Sequence, residues 1–329
     1  LNCSKDIQTS SDSQKAAPIE VPKGTTPARL DAFLRRYFTH VSRRQTQAAI
    51  EAGEVLVNGR KEKKGRILFP GDVVSFTGSS VWREKAPLPN SQLRVEILYE
   101  DEALLVLDKP AGMSCHGFSS RESRSLANFL LAHHPFLNGV GESVWEAGLV
   151  HRLDRDTSGV VLAAKDREAY QHLRGQFRRQ TVRKRYSALV WGWTAQREML
   201  SWPLAHDPKD RRRMMVLQNP PKENFSGKRW KAVTRFKTLR RSRSFSFIEI
   251  EILTGVTHQI RAQLEAAGHP LVGDPLYGGN APPSELGRQF LHATSLEMVH
   301  PRKGCAVTFE SPLPADLRKV LNGIGMPSF

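Results

Sequence analysis

The stretch GLVHRLDRDTSGVVLAAKD, residues 148–166, places two carboxylates, Asp154 and Asp156, between apolar runs. The run from Gly159 to Lys165 is apolar and reads as a strand. The residues before it, with Thr157, Ser158 and Gly159, carry turn chemistry. Working outward, LLVLDKP (104–110), YSALVWG (186–192), FSFIEIEIL (245–253) and AVTFESP (306–312) also read as strands, while REAYQHLRGQF (167–177) and HQIRAQLEAAG (258–268) have helical spacing. Strands are separated by short turns as often as by helices. The expected fold is therefore α+β, with a mixed, mostly antiparallel sheet flanked by helices rather than a doubly wound parallel one. No GxGxxG or GxxxxGK[ST] fingerprint occurs, so dinucleotide and P-loop nucleotide binding lack support.

The 329 residues carry 49 Lys and Arg against 33 Asp and Glu, a formal charge of +16 with a pI near 10.1. That balance points to a polyanion as partner. The 39% of apolar residues suffices for two cores. Cys3, Cys115 and Cys305 are too few and too scattered for a disulfide framework or a zinc site, and His151, His258, His292 and His300 lack metal-ligand spacing, so no metal is expected. No apolar run approaches the roughly 20 residues of a membrane helix, and the opening residues hold no apolar signal core. The expectation is a cytoplasmic monomer with no membrane partner.

Residues 1–20 are Ser- and Gln-rich and read as a disordered lead-in, 21–80 as a small α/β domain, 81–92 as a linker, and 93–325 as a second domain. In the small domain Leu30, Phe33, Leu34 and Tyr37 have helical spacing, Ser42 is a candidate N-cap, Gly53 ends the second helix, and Asn58-Gly59 marks a hairpin. Its 11 Lys and Arg against 5 acids are compatible with a solvated face. The words RLDAFL, SRRQTQAAIEAGEVLVNG and GDVV, however, resemble the small RNA-binding domain shared by a bacterial small-subunit ribosomal protein, tyrosyl-tRNA synthetases and several RNA-modifying enzymes. The resemblance implies an RNA-facing surface offering Arg35, Arg36, Arg43, Arg44, Lys61 and Lys63 to phosphates.

An Asp-x-Asp turn has bland uses, chiefly capping of local backbone. Paired carboxylates also serve glycoside hydrolysis or hold a divalent cation. Here further oxygen ligands are missing nearby, and Arg152 and Arg155 would compete with a cation. A neighbouring guanidinium instead favours a carboxylate's charged form, that of a nucleophile or base. The string HRLDRDTSG (151–159) closely resembles the signature of the large-ribosomal-subunit (RluA-type) pseudouridine synthase family. LLVLDKPAGM (104–113), RKRYSALVWG (183–192), TGVTHQIRAQLEAAGHPLVGDPLYG (254–278) and RQFLHATSLEMVHP (288–301) resemble its other blocks in order. The resemblance implies that Asp154 is catalytic, with Tyr186 and Arg261 as its partners, and that Arg152 replaces a flipped uridine in the stack. Val256 stands where the family usually has arginine, and Ser-Cys-His-Gly at 114–117 replaces a Val-His-Pro-like string.

Uridine-to-pseudouridine conversion gains and loses no atoms, so it implies no cofactor. It needs a carboxylate near the sugar and base, a cation to hold it, and a slot in which uracil turns. Attack on the uracil ring, attack on the anomeric carbon and a proton shift through a glycal all remain open; the glycal is favoured, with Tyr186 stacking on the ring and assisting proton transfer. Residues 206–244 hold 13 Lys and Arg against 3 acids and read as a phosphate-binding loop, with Arg211, Arg212 and Arg213 at its start and Phe225, Trp230 and Phe236 available to stack on bases or pack on the core. The expected partner is RNA, large-subunit ribosomal RNA first and transfer RNA second. The alternative is a non-enzymatic RNA-binding or ribosome-assembly factor, which would not require Asp154, Tyr186 and Arg261 together.

Overall fold

The computed structural model describes residues 17–38, 41–77, 87–117, 122–217, 227–278 and 286–326. The chain forms two compact units, Leu1–Lys85 and Ala86–Phe329.

The first unit contains β1 (Ile19–Glu20), β2 (Ala28–Arg29), α1 (Leu30–Tyr37), α2 (Arg43–Glu51), β3 (Val55–Val57), β4 (Arg60–Lys61), β5 (Ile67–Leu68) and β6 (Val73–Phe76). Ser42 caps α2 with a full capping box: its hydroxyl accepts from Gln45 N–H while the Gln45 side chain accepts from Ser42 N–H. Asn58 and Gly59 both have positive φ, as a tight β3–β4 hairpin requires. Leu30, Phe33, Leu34, Ile50, Val55, Val57 and Val74 fill the core; Tyr37, expected on the same helix face, stays largely exposed. The expected lead-in is too long by at least two residues, because Ile19 and Glu20 pair with Val74 and Val73. A two-residue edge strand has no periodicity of its own to betray it.

The second unit continues with β7 (Glu96–Glu100), β8 (Leu104–Lys109), α3 (Leu126–His133), β9 (Ser158–Ala164), α4 (Arg167–Arg179), β10 (Arg183–Trp191), β11 (Arg197–Leu200), β12 (Leu204–His206), β13 (Met214–Val216), β14 (Thr234–Ser242), β15 (Phe245–Ile252), α5 (Gln259–Ala266), β16 (Leu291–Val299), β17 (Ala306–Glu310) and α6 (Ala315–Gly323). Its main sheet has nine strands among the described residues, in the order β11-β14-β15-β10-β16-β9-β8-β7 with β17 also on β16. All its neighbours are antiparallel except β9 and β16, so the sheet is mixed and mostly antiparallel. Every residue of β9 is buried, so this strand lies covered on both faces. Gly159 lies at φ +115°, where an added Cβ would meet the Ala293 backbone, so only glycine lets β9 approach β16 there.

Two regions differ from expectation. Residues 87–92, expected as linker, are bonded into the second unit: Asn128 Nδ2 donates to Leu88 O at 2.6 Å and Asn90 Nδ2 to Ser123 O at 2.6 Å. The segment ties to the capped start of α3. The basic stretch 206–244 is not loop throughout: among its described residues, 214–216 and 234–242 are strand. Along β14, Thr234, Phe236 and Thr238 point inward while Arg235 and Lys237 are exposed. Phe236 therefore packs in the core, and Phe225 lies outside the described residues.

Candidate active site

The 151–157 turn lies between a bridge at Leu149 and β9, closed by Thr157 N–H donating to Asp154 O. Two buried groups, Lys109 and Cys115, hold it from below. Lys109, at the end of β8, is fully buried and donates from Nζ to the carbonyls of Pro110, Met113 and Arg155 at 2.8, 2.8 and 2.9 Å. Burial pulls this lysine down to about 8, against the pull of Asp156 and Asp154. The Cys115 thiol accepts from Leu153 N–H at 3.3 Å and lies 3.6 Å from Leu153 O, and burial pushes its pKa up, so it is an uncharged strut rather than a reactive thiol. Arg155, on the other side, donates to Gly112 O at 3.1 Å.

Above the turn, α5 presents Arg261. Its Nη1 donates to Asp154 Oδ2 at 3.2 Å, while Nε and Nη2 grip Asp274 Oδ2 and Oδ1 at 2.7 and 2.9 Å. Arg261 is thus a buried cation shared between two carboxylates. Burial opposes its charge, but Asp274 and Asp154 overcome that and raise its pKa further. Asp274 is itself buried, yet Arg261 and the amides of Leu276 and Tyr277 hold its carboxyl below the ordinary range. The Tyr277 ring stacks under Arg261 with its centroid 5.1 Å away, and its hydroxyl lies 3.1 Å from His258 Nδ1. His258 in turn brings Nε2 to 3.9 Å from Asp154 Oδ2. It adopts φ +54° at the start of α5, and burial lowers its pKa.

Asp154 and Arg261 open onto a cleft of about 450 Å³ lined also by Arg152, Lys184, Tyr186, Val256 and His258. The Asp154 side chain keeps 20% of its surface exposed, which leaves it within reach of a substrate, whereas Arg261 keeps 8%. Tyr186 is buried in the main core, and burial together with the Asp154 charge pushes its phenol pKa up. A phenol so placed is a hydrogen-bond donor and a ring wall; the base half of the expected proton-transfer role is disfavoured.

Residues 103–266 match the family described as RNA pseudouridylate synthase, and residues 28–74 match the S4 domain. The chain is 36% identical over 297 residues to the uncharacterized RNA pseudouridine synthase YlyB of Bacillus subtilis, covering 90% of this chain and 94% of that one. It is 34% identical over 327 residues to ribosomal large subunit pseudouridine synthase D of Neisseria meningitidis serogroup A, covering 96% and 84%. Among solved structures it is similar to human RNA pseudouridylate synthase domain containing 1, with a TM-score of 0.53 and 25% identity over 68% of this chain and 85% of that one. The chain belongs to the RNA pseudouridylate synthase family. It is an enzyme that isomerises uridine to pseudouridine in RNA, and the non-enzymatic alternative is not favoured.

Around the synthase's cleft the two departures acquire a physical reading. Val256 places an apolar side chain on the cleft wall and anchors α5 through its backbone, which bonds Gln259 from both N–H and C=O. Cys115, from the Ser-Cys-His-Gly string, bonds the backbone just before Asp154. The candidate RNA contacts fare unequally. Arg35, Arg36, Arg43, Arg44, Lys61 and Lys63 are exposed in the S4 unit, and Arg152 and Arg211 are exposed in the second. Arg212 is held by Asp210 at 2.8 and 3.0 Å. Arg213 is half-buried: it donates to Leu276 O, meets Glu265 at 3.4 Å and stacks on Tyr277, so it supports the Arg261 network rather than facing solvent. Sequence reasoning misses Asp274, Tyr277 and Lys109, although all three lie inside the quoted blocks. Asp274 carries a signal, as an acid in a Gly-Asp-Pro turn following an arginine helix, but its pairing depends on how the loop folds back.

Proposed function

We propose that Asp154 is the catalytic carboxylate, with Arg261 holding it and Tyr186 walling the uracil slot. The observation that carries this reading is the Arg261 bond to Asp154 at the mouth of the cleft, from a guanidinium already fixed by Asp274. Arg261 cannot follow the substrate, so Asp154 is oriented before substrate arrives, the kind of preorganisation that makes a catalytic group effective.

In the favoured route Asp154 takes the hydrogen from ribose carbon 2′ as the bond from carbon 1′ to nitrogen 1 breaks, leaving a glycal and a uracil anion. Uracil turns against Tyr186. Carbon 5 then attacks carbon 1′ while Asp154 returns its proton to carbon 2′; carbon 5 loses its hydrogen, nitrogen 1 gains one, and the product is an isomer of the substrate. No cofactor enters this balance. Arg152, exposed beside the turn, fills the gap left by the flipped nucleotide.

The substrate we propose is large-subunit ribosomal RNA, with transfer RNA second, acted on by a cytoplasmic monomer. The relatives named for the ribosomal large subunit and the S4 match support the first choice. The first unit serves as the arm that orients RNA, and the second as the catalytic domain. Mapping pseudouridines in ribosomal and transfer RNA of cells with and without the gene tests the assignment: loss of one or more sites in large-subunit RNA is expected, and loss confined to transfer RNA would overturn it.

A further inference from the structure

The cleft continues past Tyr186 to a second group of side chains that the chemistry at Asp154 does not use. Lys184, two residues before Tyr186 on β10, lines it together with Arg174, Phe177 and Arg178 of α4. Two residues of strand span about 6.6 Å, the scale that separates a nucleobase from its own backbone phosphates. Lys184 Nζ donates to Thr254 O at 3.0 Å and sits 5.9 Å from the centre of the Phe177 ring, which stacks on His151. Its ammonium is therefore aimed, not free to sweep through solvent.

No carboxylate among the described residues lies within ion-pair distance of Lys184. Burial alone lowers its pKa to about 8, as expected of a cation lacking a counter-ion. Arg174 is similar: Nη1 donates to Val150 O at 3.1 Å, but its buried Nε finds no acceptor among the described residues. The nearest acid, Glu142, is mostly exposed and is shared by Arg174 and Arg178 at 3.8 and 3.7 Å. Three cations thus face one solvated carboxylate. Holding unpaired charge in a cleft costs stability, and an anion docking there would recover it.

We propose that Lys184, backed by Arg174 and Arg178, binds a backbone phosphodiester of the RNA strand that carries the target uridine. This deepens the isomerase reading and rests on it for the identity of the strand. The site explains how a cleft that fits one nucleotide would prefer uridine within a chain over the free nucleoside: the base enters beside Tyr186 only when its phosphate is seated on Lys184. A single aimed ammonium reads the backbone and carries no sequence information, so it sets register rather than site choice.

The test titrates the full chain with pentauridylate and with the same oligomer carrying uncharged methylphosphonate linkages, at several salt concentrations. Lys184→Gln should weaken binding of the natural oligomer about tenfold, the scale of one charge-assisted bond. It should lower the slope of log affinity against log salt by about 0.7, the value for one phosphate on a single strand. It should change binding of the uncharged oligomer by less than about twofold. Lys184→Arg should restore the preference for charged linkages, and Arg178→Gln, at an exposed position, should reduce it without affecting the fold. Equal losses on both oligomers, or an unchanged preference in Lys184→Gln, would overturn the proposal. Tritium release from 5-tritiated uridine in large-subunit ribosomal RNA is measured alongside. An inactive wild type whose linkage preference still depends on Lys184 would sink the isomerase reading and leave the anion site standing; an active wild type whose preference ignores Lys184 would do the reverse.

Discussion

Removing the Asp274 carboxylate should unsettle the proposed catalytic pair without touching it. Arg261 keeps 8% of its side chain exposed and Asp274 none, and two of the three bonds from the guanidinium to carboxylates go to Asp274. In Asp274→Ala the arginine is left with Asp154 alone, and the amides of Leu276 and Tyr277 lose their acceptor. Breaking one side of a buried ion pair costs about 3–5 kcal/mol. At about 2–4 °C per kcal/mol for a unit of this size, a loss of about 4 kcal/mol lowers the melting temperature by about 8–16 °C. Asp274→Asn keeps the shape and an acceptor for the amides but removes the charge, so it should remain folded near room temperature. With Arg261 no longer fixed, single-turnover isomerisation in that variant should fall at least tenfold while RNA affinity stays within about twofold, because the bonds of Asp274 are all internal. Calorimetry with quench-flow assays of both variants decides the matter. An Asp274→Ala protein melting within about 2 °C of wild type, or a folded Asp274→Asn protein at wild-type rate, would refute the reasoning.

Four further outcomes are expected. Burial lowers His151 to about 3 and His116 and His292 to about 4, all below the ordinary 6.5, so the unfolded chain takes up protons that the folded one refuses. Stability should therefore fall as pH drops from 6.5 toward 4, by about 3 kcal/mol over the first pH unit for the three together, and urea unfolding at pH 6.5 and 5.5 showing a difference under about 0.5 kcal/mol would contradict it. Lys109→Met leaves three carbonyls without their donor, at about 1–3 kcal/mol for each group left unsatisfied, and should destabilise the chain by more than about 3 kcal/mol in denaturant titrations. In the wild type, Lys109 loses its proton near pH 8 while the unfolded lysine keeps its own to about 10.4, so this lysine's contribution to stability rises with pH across that window even as the turn loses a donor; activity should decline above pH 8 with no loss of circular dichroism. Deleting residues 1–85 should flatten the salt dependence of RNA binding by somewhat under one unit for each phosphate that the S4 unit neutralises yet leave isomerisation measurable at saturating RNA, and an unchanged slope would remove the S4 unit from the RNA path.

Much of this architecture is legible in the sequence because its determinants are local. The run from Gly159 to Ala164 carries its strand in its own composition, Ser42 its cap in the following Gln45, and Asn58-Gly59 its hairpin in two residues. Asp154 and Arg261, 107 positions apart, can be paired only through a resemblance, and they meet at 3.2 Å. What stays hidden depends on remote partners. Ile19 and Glu20 become a strand only because β6 offers its edge. The inward face of β14, Thr234, Phe236 and Thr238, is masked by the arginines and lysines between them, which make an alternating strand look like a basic loop. Lys109 looks like the polar end of a strand; three carbonyls brought in by two separate turns make it a buried support. Arg213 resembles its exposed neighbours because charge runs do not reveal which member meets Leu276 and Tyr277.

Asp154 is proposed to do the chemistry and not merely to close a turn. A turn-capping aspartate replaced by asparagine would cost little, since asparagine supports the same local bonds, and even full loss of a cap costs about 1 kcal/mol. The direct measurement is pseudouridine formation by purified Asp154→Asn on large-subunit ribosomal RNA, under single-turnover conditions at saturating enzyme, with melting temperature and RNA affinity recorded on the same preparation. The expected result is a fold and an affinity close to wild type and no detectable pseudouridine. A variant that is folded, binds RNA and still forms pseudouridine at more than a few per cent of the wild-type rate would contradict it.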